Sequence, residues 1–484
     1  MIINLKGKIF FGMLWTLAER TLAQGISFLV SIILARLLLP EEYGIIAIVL
    51  VFINIADVFV NNGFGEVLIQ NKYADEKDYS TIFYCAFLIS LILMGTLNFL
   101  SPYISNYFSM PLLAEILPWL LLKLPISAFN TVQHAYVSKH MIFKKFFYAT
   151  SGATFLSGMI GIVMALNDYG IWALVAQVIL LSAFDTIILL FIIPWHPVLY
   201  FSFSRAFRMA DFAGRIIFAN LINVLYIEMS NLVIGKFYKP SDLGYYNRGM
   251  QFPSLIVNNI NTAIGKVIFP AMSELQDNRI KLKGFAKKSM ILSSYIIFPL
   301  LTMLAMISKP LVSIILTNKW LICVPYIQIA CIFYGNQPLQ TINWQIIKSL
   351  GRADICLKLE LLKKCIGVFI LFLTINMGVK AIACGFAISG IISMLINMLP
   401  NNKLIMYSVK EQITDIMPTF FCCIIMAVVM NVWNMVDITP GFLILIQITT
   451  GFTVYILFSK ILKLEGISYI INIIRERTNE KSSF

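Results

Sequence analysis

Leu34-Ala35-Arg36-Leu37-Leu38-Leu39-Pro40-Glu41-Glu42-Tyr43-Gly44 has an echo in Ile234-Gly235-Lys236-Phe237-Tyr238-Lys239-Pro240-Ser241-Asp242-Leu243-Gly244. Each stretch sits between two long apolar runs, and the offset is 240 − 40 = 200 positions. A base, a proline, an acid and a glycine hold that offset, as Arg36/Lys236, Pro40/Pro240, Glu42/Asp242 and Gly44/Gly244. It holds again at Gly65-Glu66-Val67-Leu68-Ile69 against Gly265-Lys266-Val267-Ile268-Phe269. Proline restarts a chain after one helix, and glycine permits the tight turn into the next. Any short membrane loop can carry Pro and Gly, but two matches at one offset mark an internal duplication.

Of the 484 residues, 59% are hydrophobic and only 13% charged, with mean hydropathy +0.84. A soluble chain of this length has no way to bury so much apolar surface, so the composition indicates an all-α polytopic membrane protein. The net charge of +13 would suggest nucleic acid if the bases gathered on a soluble domain. They fall instead in short gaps between apolar runs, which is how topology is encoded, and no nucleic-acid partner is expected. The eight cysteines lie mostly in or beside apolar runs, with no CxxC or Cys/His cluster. They read as packing thiols, and neither a metal site nor a cofactor is expected. The first apolar run is too long for a cleavable signal, Glu19-Arg20 interrupts it, and no small-residue cleavage site follows.

About fourteen spans of roughly 20 residues suit a bilayer core: 9–35, 43–62, 80–100, 115–137, 146–166, 170–194, 210–235, 245–272, 287–307, 322–344, 360–377, 379–399, 414–435 and 441–461. The tail from Gly466 to Phe484 alternates apolar residues with Arg475, Glu476 and Arg477 and reads as an amphipathic helix on the membrane surface. Both termini and the even-numbered connections hold about 24 bases, from Lys6 and Lys8 to Lys481, against about 6 in the odd-numbered ones (Arg36, Lys236, Lys239, Lys309, Lys319, Lys380). The positive-inside rule therefore places both termini in the cytoplasm; the expected location is the cytoplasmic (inner) membrane. Under the 200-residue offset span 1 aligns with span 7, so the repeat unit holds six spans. An even number returns the chain to the same side, and the two halves run parallel, as in rocking-bundle transporters with a substrate site between the halves. The expected domains are a six-helix lobe over 1–205, a second over 206–400, and two additional helices with the tail over 401–484.

These stretches resemble the polysaccharide transporter branch of the multidrug/oligosaccharidyl-lipid/polysaccharide exporters, the Wzx-type flippases of O-antigen and capsule units. The resemblance is carried by Leu34-Ala35-Arg36 through Gly44, Asn62-Gly63-Phe64-Gly65 through Gln70, and Leu243-Gly244-Tyr245-Tyr246-Asn247-Arg248. Further on it is carried by Phe269-Pro270-Ala271-Met272-Ser273, Asn318-Lys319-Trp320 and Leu350-Gly351-Arg352. It spans roughly residues 10 to 400. It implies two six-helix lobes around a central cavity and flipping of an undecaprenyl-diphosphate-linked sugar unit.

Such a substrate needs cations and sugar-binding amides in a watery cleft, and charged residues inside spans default to function. Arg20, Gln24, Ser27 and Ser31 share one helix face, as do Lys123, Ser127, Asn130 and His134. Arg248, Gln251, Asn259, Thr262 and Lys266 fall on one side of span 8; Asn336, Gln340 and Asn343 do so in span 10. Asn220 and Asn231 share a face of span 7, with Asn223 and Glu228 nearby. The expected cavity set is Arg20, Gln24, Lys123, Asn130, His134, Asn220, Asn223, Arg248, Gln251, Asn259, Lys266, Asn336 and Gln340. Glu228, Asp57 and Glu19 are candidates for coupling to a proton or sodium ion; Glu19, Asp57, Asp185 and Glu228 also qualify as structural partners of the cations. The plain alternative is that such groups satisfy one another between packed helices.

Two other functions compete. A cation-coupled drug exporter of the same superfamily would want an acidic cavity, whereas these stripes carry more bases than acids. A membrane polysaccharide polymerase or ligase would need a large outer loop for its chemistry. The longest outward connection, around Ser101 to Ala114, is about 14 residues and contains no base or His. A polymerase remains a candidate partner, beside the lipid-linked oligosaccharide and membrane lipids.

Overall fold

The computed structural model describes residues 2–61 and 63–469. In chain order the helices are α1 (Ile2–Leu37), α2 (Pro40–Asn61), α3 (Phe64–Gln70), α4 (Glu76–Phe108), α5 (Pro111–Leu121), α6 (Lys123–Lys139), α7 (Lys144–Leu166), α8 (Trp172–Ile192) and α9 (Phe203–Phe237). There follow α10 (Pro240–Glu274), α11 (Arg279–Ile315), α12 (Val324–Gly335), α13 (Gln337–Ser349), α14 (Ala353–Thr374), α15 (Val379–Ile405), α16 (Val409–Val432) and α17 (Pro440–Ile461). Among the described residues there is no strand. The chain is an all-α polytopic membrane protein: among the described residues eleven helical runs are long and apolar enough to cross a bilayer. The expected count of about fourteen also includes α10, the α12–α13 pair and α14. Polar content separates these from the eleven. α14 carries Asp354, Lys358, Glu360, Lys363 and Lys364 in its first half, and α10 carries Arg248, Lys266 and four asparagines (Asn247, Asn258, Asn259, Asn261). The surface helix expected over 466–484 lies, from residue 470 on, outside the described residues.

Local chemistry sets the helix starts. The Glu42 carboxylate accepts the Leu39 N–H at 2.6 Å just ahead of α2. Asp75 and Asp78 form a reciprocal capping box at α4, and Ser408 and Glu411 another at α16, each satisfying amides that a helix start leaves unpaired. One expectation is corrected here. The connection around Ser101–Ala114 is only Ser109 and Met110, because α4 continues to Phe108 and Pro111 opens α5. Pro102 does not end α4.

The chain divides into two compact units, Met1–Gly244 and Tyr245–Phe484. In the first unit, Val60, Phe64, Leu68, Ile82, Phe83, Val132, Leu189 and Trp195 form a buried core. Met209 and Ala213 of α9 are part of it. Thus α9, which opens the second copy in the repeat reading, packs here on α2–α4. In the second unit, one core gathers Met272, Leu282, Met290, Leu339, Ile342, Ile346, Met398 and Tyr407. Cys422, Cys423, Met426 and Met430 of α16 and Tyr455 of α17 pack on Tyr295 and Ile307 of α11. The Tyr455 hydroxyl donates to the Tyr295 carbonyl at 2.7 Å.

The two copies of the Pro/Gly motif meet each other. A Cβ added at Gly44 would lie 1.7 Å from the Pro240 carbonyl oxygen, and one at Gly244 would lie 2.0 Å from the Pro40 carbonyl oxygen. The contact is reciprocal, as a duplicated element produces when it packs on its own copy. Beside it, Lys236 donates to the Tyr107 carbonyl and covers that ring at 4.0 Å. Gly44→Ala and Gly244→Ala are each expected to cost about 2–3 kcal/mol, because a carbonyl on a packed helix start has nowhere to move. Thermal unfolding in detergent checks this against Gly25→Ala, where nothing lies within 4 Å.

The second half of the repeat diverges. Gly63 adopts φ +103°, and a Cβ there would lie 2.8 Å from the Ala213 carbonyl oxygen. That conformation separates α2 from α3. At the matching position Ala263 keeps α10 continuous.

At the opposite end of α9, the Arg205 guanidinium bonds Asp75 at 2.6 Å and Asp78 at 2.9 Å. It holds the Asp75 carboxyl below its ordinary range. A depressed carboxyl stabilises the fold in full above its unfolded value and loses that contribution as pH falls through the folded one. The clamp is therefore expected to hold at neutral pH and to release only on acidification below about pH 4. Proteolysis of the 193–202 linker across pH 3–7 reads this directly, with Arg205→Ala cleaved at every pH.

Candidate functional site

Two spans are broken at matching depth. In the first unit α5 gives way to α6 at Leu122, whose N–H bonds the Trp119 carbonyl three residues back. Pro125 then has no N–H for the Leu121 carbonyl. In the second unit α12 gives way to α13 at Asn336, and Pro338 has no N–H for the Tyr334 carbonyl. The breaks lie 11 and 12 residues from the starts of α5 and α12, about 17 Å along each helix. The 200-residue offset does not superpose the two breaks, since it takes Leu122 to Ile322 and Pro125 to Pro325; what they share is an interrupted helix beside a proline, the kind of break at which a transporter exposes backbone to its substrate. Pro118, Pro125 and Pro338 inside apolar runs were the sequence signal for this, and the span assignment did not use it.

The polar face of α6 begins at the first break. Lys123 Nζ lies 2.6 Å from Asp57 Oδ2 on α2. Asn61 donates to the other Asp57 oxygen at 3.2 Å, and the Thr131 hydroxyl bonds Asn61. Asn130 accepts from the Thr186 hydroxyl at 2.6 Å. One turn on, His134 Nε2 lies 3.0 Å from Asp185 Oδ2 of α8. Thr150 of α7 donates to the other Asp185 oxygen at 3.4 Å, and Glu19 of α1 is half-buried. The structure thus joins Asp57 with Lys123, and His134 with Asp185, pairs that spacing along single helices could not assign.

Glu228 on α9 is buried and accepts from Asn54 of α2 at 2.9 Å and from Asn231 at 2.7 Å. On the same helix Asn220 is half-buried and Asn223 exposed.

In the second unit Arg248 is 5% exposed. It donates to Gln251 at 2.7 Å and its guanidinium lies over the Trp320 ring at 5.3 Å. Cys323 lies within its field. Trp320, named only as part of the family resemblance, is thus the platform for that cation. Farther along α10, Asn259 is exposed and donates back one turn to the Leu255 carbonyl, and Lys266 is exposed. Gln340 reaches the Gly390 carbonyl at 3.1 Å, and Asn336 bonds back to the Ile332 carbonyl at 2.8 Å. Asn343 and Asn401 form a fully buried amide pair at 2.6 Å.

On α1, Arg20 is exposed and Gln24 half-buried. Among the described residues neither Arg20 nor Lys266 makes an ion pair. Among the described residues no group of three or more His, Cys, Asp or Glu is arranged to hold a metal ion.

Comparison with known proteins agrees with this architecture. The succinoglycan biosynthesis transport protein ExoT of Rhizobium meliloti (strain 1021) is 21% identical over 322 residues, 66% of this chain and 65% of that protein. The match thus spans just under two thirds of ExoT. The lipopolysaccharide biosynthesis protein WzxC of Escherichia coli (strain K12) is 22% identical over 367 residues, 75% of this chain and 74% of that one. Among solved structures, the lipid II flippase MurJ in an inward closed conformation superimposes with a TM-score of 0.76 at 16% identity, over 94% of this chain and 100% of that one. At that identity the likeness establishes the fold. The profile of the family described as polysaccharide biosynthesis protein matches residues 33–325. That is more than half of the chain, and the chain belongs to that family.

Proposed function

We propose that this protein flips undecaprenyl-diphosphate-linked oligosaccharide units across the cytoplasmic membrane by alternating access, for O-antigen, capsule or exopolysaccharide synthesis. The observation that carries it is the pair of helix breaks at equivalent depth, each on a span with a polar face. Broken spans of this kind offer backbone groups and amides to a hydrated head group inside an apolar slab. The family membership and the printed description of ExoT as a transport protein support the same reading. In it both termini face the cytoplasm, lobes over 1–205 and 206–400 move against each other, and 401–484 is an addition outside the repeat.

Arg20 and Lys266 are the cations proposed to meet the diphosphate, with Gln24, Asn130, Asn220, Asn223, Asn259, Asn336 and Gln340 toward the sugars. Lys123, held by Asp57, and Arg248, held over the Trp320 ring, shape the polar faces from within. The protein is not proposed to be an enzyme. Its sequence shows no nucleophile triad, phosphate-cradling glycine loop or metal cluster. Work against a gradient then comes from an ion or the membrane potential.

The test is a deletion strain. Surface polysaccharide is expected to disappear while lipid-linked units accumulate in the inner leaflet, and the intact gene restores both. Purified protein incubated with the accumulated lipid is expected to leave its diphosphate bond and chain length unchanged. Cleavage or lengthening of that lipid points to the polymerase or ligase reading instead.

A further inference from the structure

We propose that the first unit holds a resident phospholipid of net negative charge. One of its hydrocarbon chains lies in a groove formed by α4, α6 and α8, and its head group sits at the base-rich end of those helices. A cavity of about 270 Å³ is lined by Phe87 of α4, Pro125 and Phe129 of α6, and Ala183, Ile187 and Leu190 of α8. Thr186 also lines it, but its hydroxyl donates to Asn130 at 2.6 Å. All three helices belong to runs long and apolar enough to cross a bilayer, so hydrocarbon surrounds the groove. From Ala183 to Leu190 it follows α8 for seven residues, about 10 Å along the helix. Its volume over that length gives the width of a single hydrocarbon chain. A wall with no free polar group offers nothing to a sugar or a diphosphate, whereas aromatic and branched side chains hold a chain by dispersion.

The place of the groove on α6 selects a phospholipid over the lipid proposed to be transported. Pro125 stands about 160° around the helix from Lys123, and Phe129 about 140° from His134. Lys123 and His134 mark the polar face, through Asp57 and Asp185. A head group on that face is therefore separated from the groove by the helix itself, and its own chain has no direct path there.

Along α8 the groove leads to the base-rich end. One turn past Ile187, Phe191 is 88% exposed, and Leu199 in the linker that follows is 94% exposed. The linker is held to α4: Trp195 is buried against Tyr79 and Phe83, and the Val198 N–H donates to Ser80 Oγ at 3.1 Å. Two lysines stand at this end. Lys145 Nζ donates to the Ile192 carbonyl at 2.7 Å, where α8 stops, and Lys77 lies over the Tyr200 ring at 5.0 Å. An ammonium has three N–H donors, so each keeps some for phosphate oxygens. Among the described residues neither lysine pairs with an acid. Of the acids at the start of α4, Asp75 and Asp78 are bound by Arg205, and Glu76 is exposed. A phosphate here meets two cations while its chain fills the groove, and Lys and Arg beside a membrane surface favour anionic lipid.

The probe is phosphatidylglycerol with a diazirine midway along one acyl chain, added below saturation to the purified protein in detergent. Phosphatidylcholine with the same chains is the comparison. After illumination, peptides covering 83–92, 123–132 and 181–192 are expected to carry the phosphatidylglycerol label in preference to the other membrane helices. Lys77→Gln and Lys145→Gln are each expected to lower that labelling about fivefold, toward the phosphatidylcholine level. Ala183→Phe fills the groove and is expected to abolish the label. Ile187→Trp, at an exposed edge of the groove, is expected to do the same and serves if thermal unfolding shows Ala183→Phe to be misfolded. Equal labelling by the two lipids overturns the anionic head group. Label spread evenly over the membrane helices, or unchanged by the groove-filling variants, overturns the groove. Displacement of the label by unlabelled polyprenyl diphosphate, with phosphatidylglycerol ineffective, overturns the phospholipid as occupant. Export plays no part in this readout, so the site stands or falls separately from the transport reading.

Discussion

Arg20→Ala and Lys266→Ala are each expected to reduce surface polysaccharide roughly 10- to 100-fold, the loss of one charge-assisted hydrogen bond, with protein level and membrane insertion unchanged. Both bases have exposed side chains and no ion pair among the described residues, Arg20 on the membrane-crossing run of α1 and Lys266 on α10, which is proposed as a further span. A cation in that setting is costly unless water or an anionic ligand stands beside it. Arg20→Lys keeps the charge and loses the fork that grips two oxygens at once, so an intermediate level is expected. Lys123 supplies the contrast. Its removal strands Asp57 in a half-buried site, so Lys123→Ala is expected to lower the amount of folded protein, and Lys123→Ala with Asp57→Ala to restore it. Quantifying cell-surface polysaccharide beside immunoblots of membranes separates the two behaviours. If both single alanine variants on Arg20 and Lys266 export as well as the parent, the anionic-substrate reading loses its main support.

The legible part of this protein was whatever depends on residues close in sequence. Apolar runs gave the helices, and a proline and glycine kept at one offset marked the two helix starts that pack on each other. Helical spacing gave the polar faces of α6 and α10. Partners across helices were not legible. Asp57 and Lys123 stand 66 positions apart and His134 and Asp185 51 apart, and periodicity states which side a residue lies on, not what faces that side. For the same reason Arg248 looked like one more cation on the stripe, whereas packing over the Trp320 ring buries it. The repeat itself hid the placement of α9. A 200-residue offset assigns that helix to the second copy, and only the packing of Met209, Ala213 and Gly235 shows it on the first unit. The helix breaks were visible as prolines but were absorbed into spans, because hydropathy averages over a kink.

A disulfide between Ile48→Cys on α2 and Gly235→Cys on α9 is expected to abolish export when oxidised and to permit it when reduced. A Cβ added at Gly235 would lie 2.8 Å from Ile48 Cγ1, the atom a cysteine sulfur at 48 would replace, so the two sulfurs come within bonding reach. The bond would fasten α2 to α9 close to where Pro40 and Gly244 meet. The present contacts along α9 are polar as well as close: Arg205 with Asp75 and Asp78 at one end, Glu228 with Asn54 midway, and Lys236 with Tyr107 at the other. In the proposed cycle α9 moves with the second lobe, and those contacts part at one end or the other at each step. A covalent tie at the Pro/Gly end then holds one of the two states. The eight native cysteines are replaced beforehand, and each single-cysteine variant under oxidant serves as the control for nonspecific oxidation. A thermal unfolding temperature equal to or above that of the reduced protein shows that the tie is compatible with the fold. Loss of export under those conditions, reversed by reductant, supports separation of α2 from α9 as part of transport. Undiminished export with the bond fully formed would show that α9 travels with α2, and the moving boundary would then have to lie elsewhere in the chain.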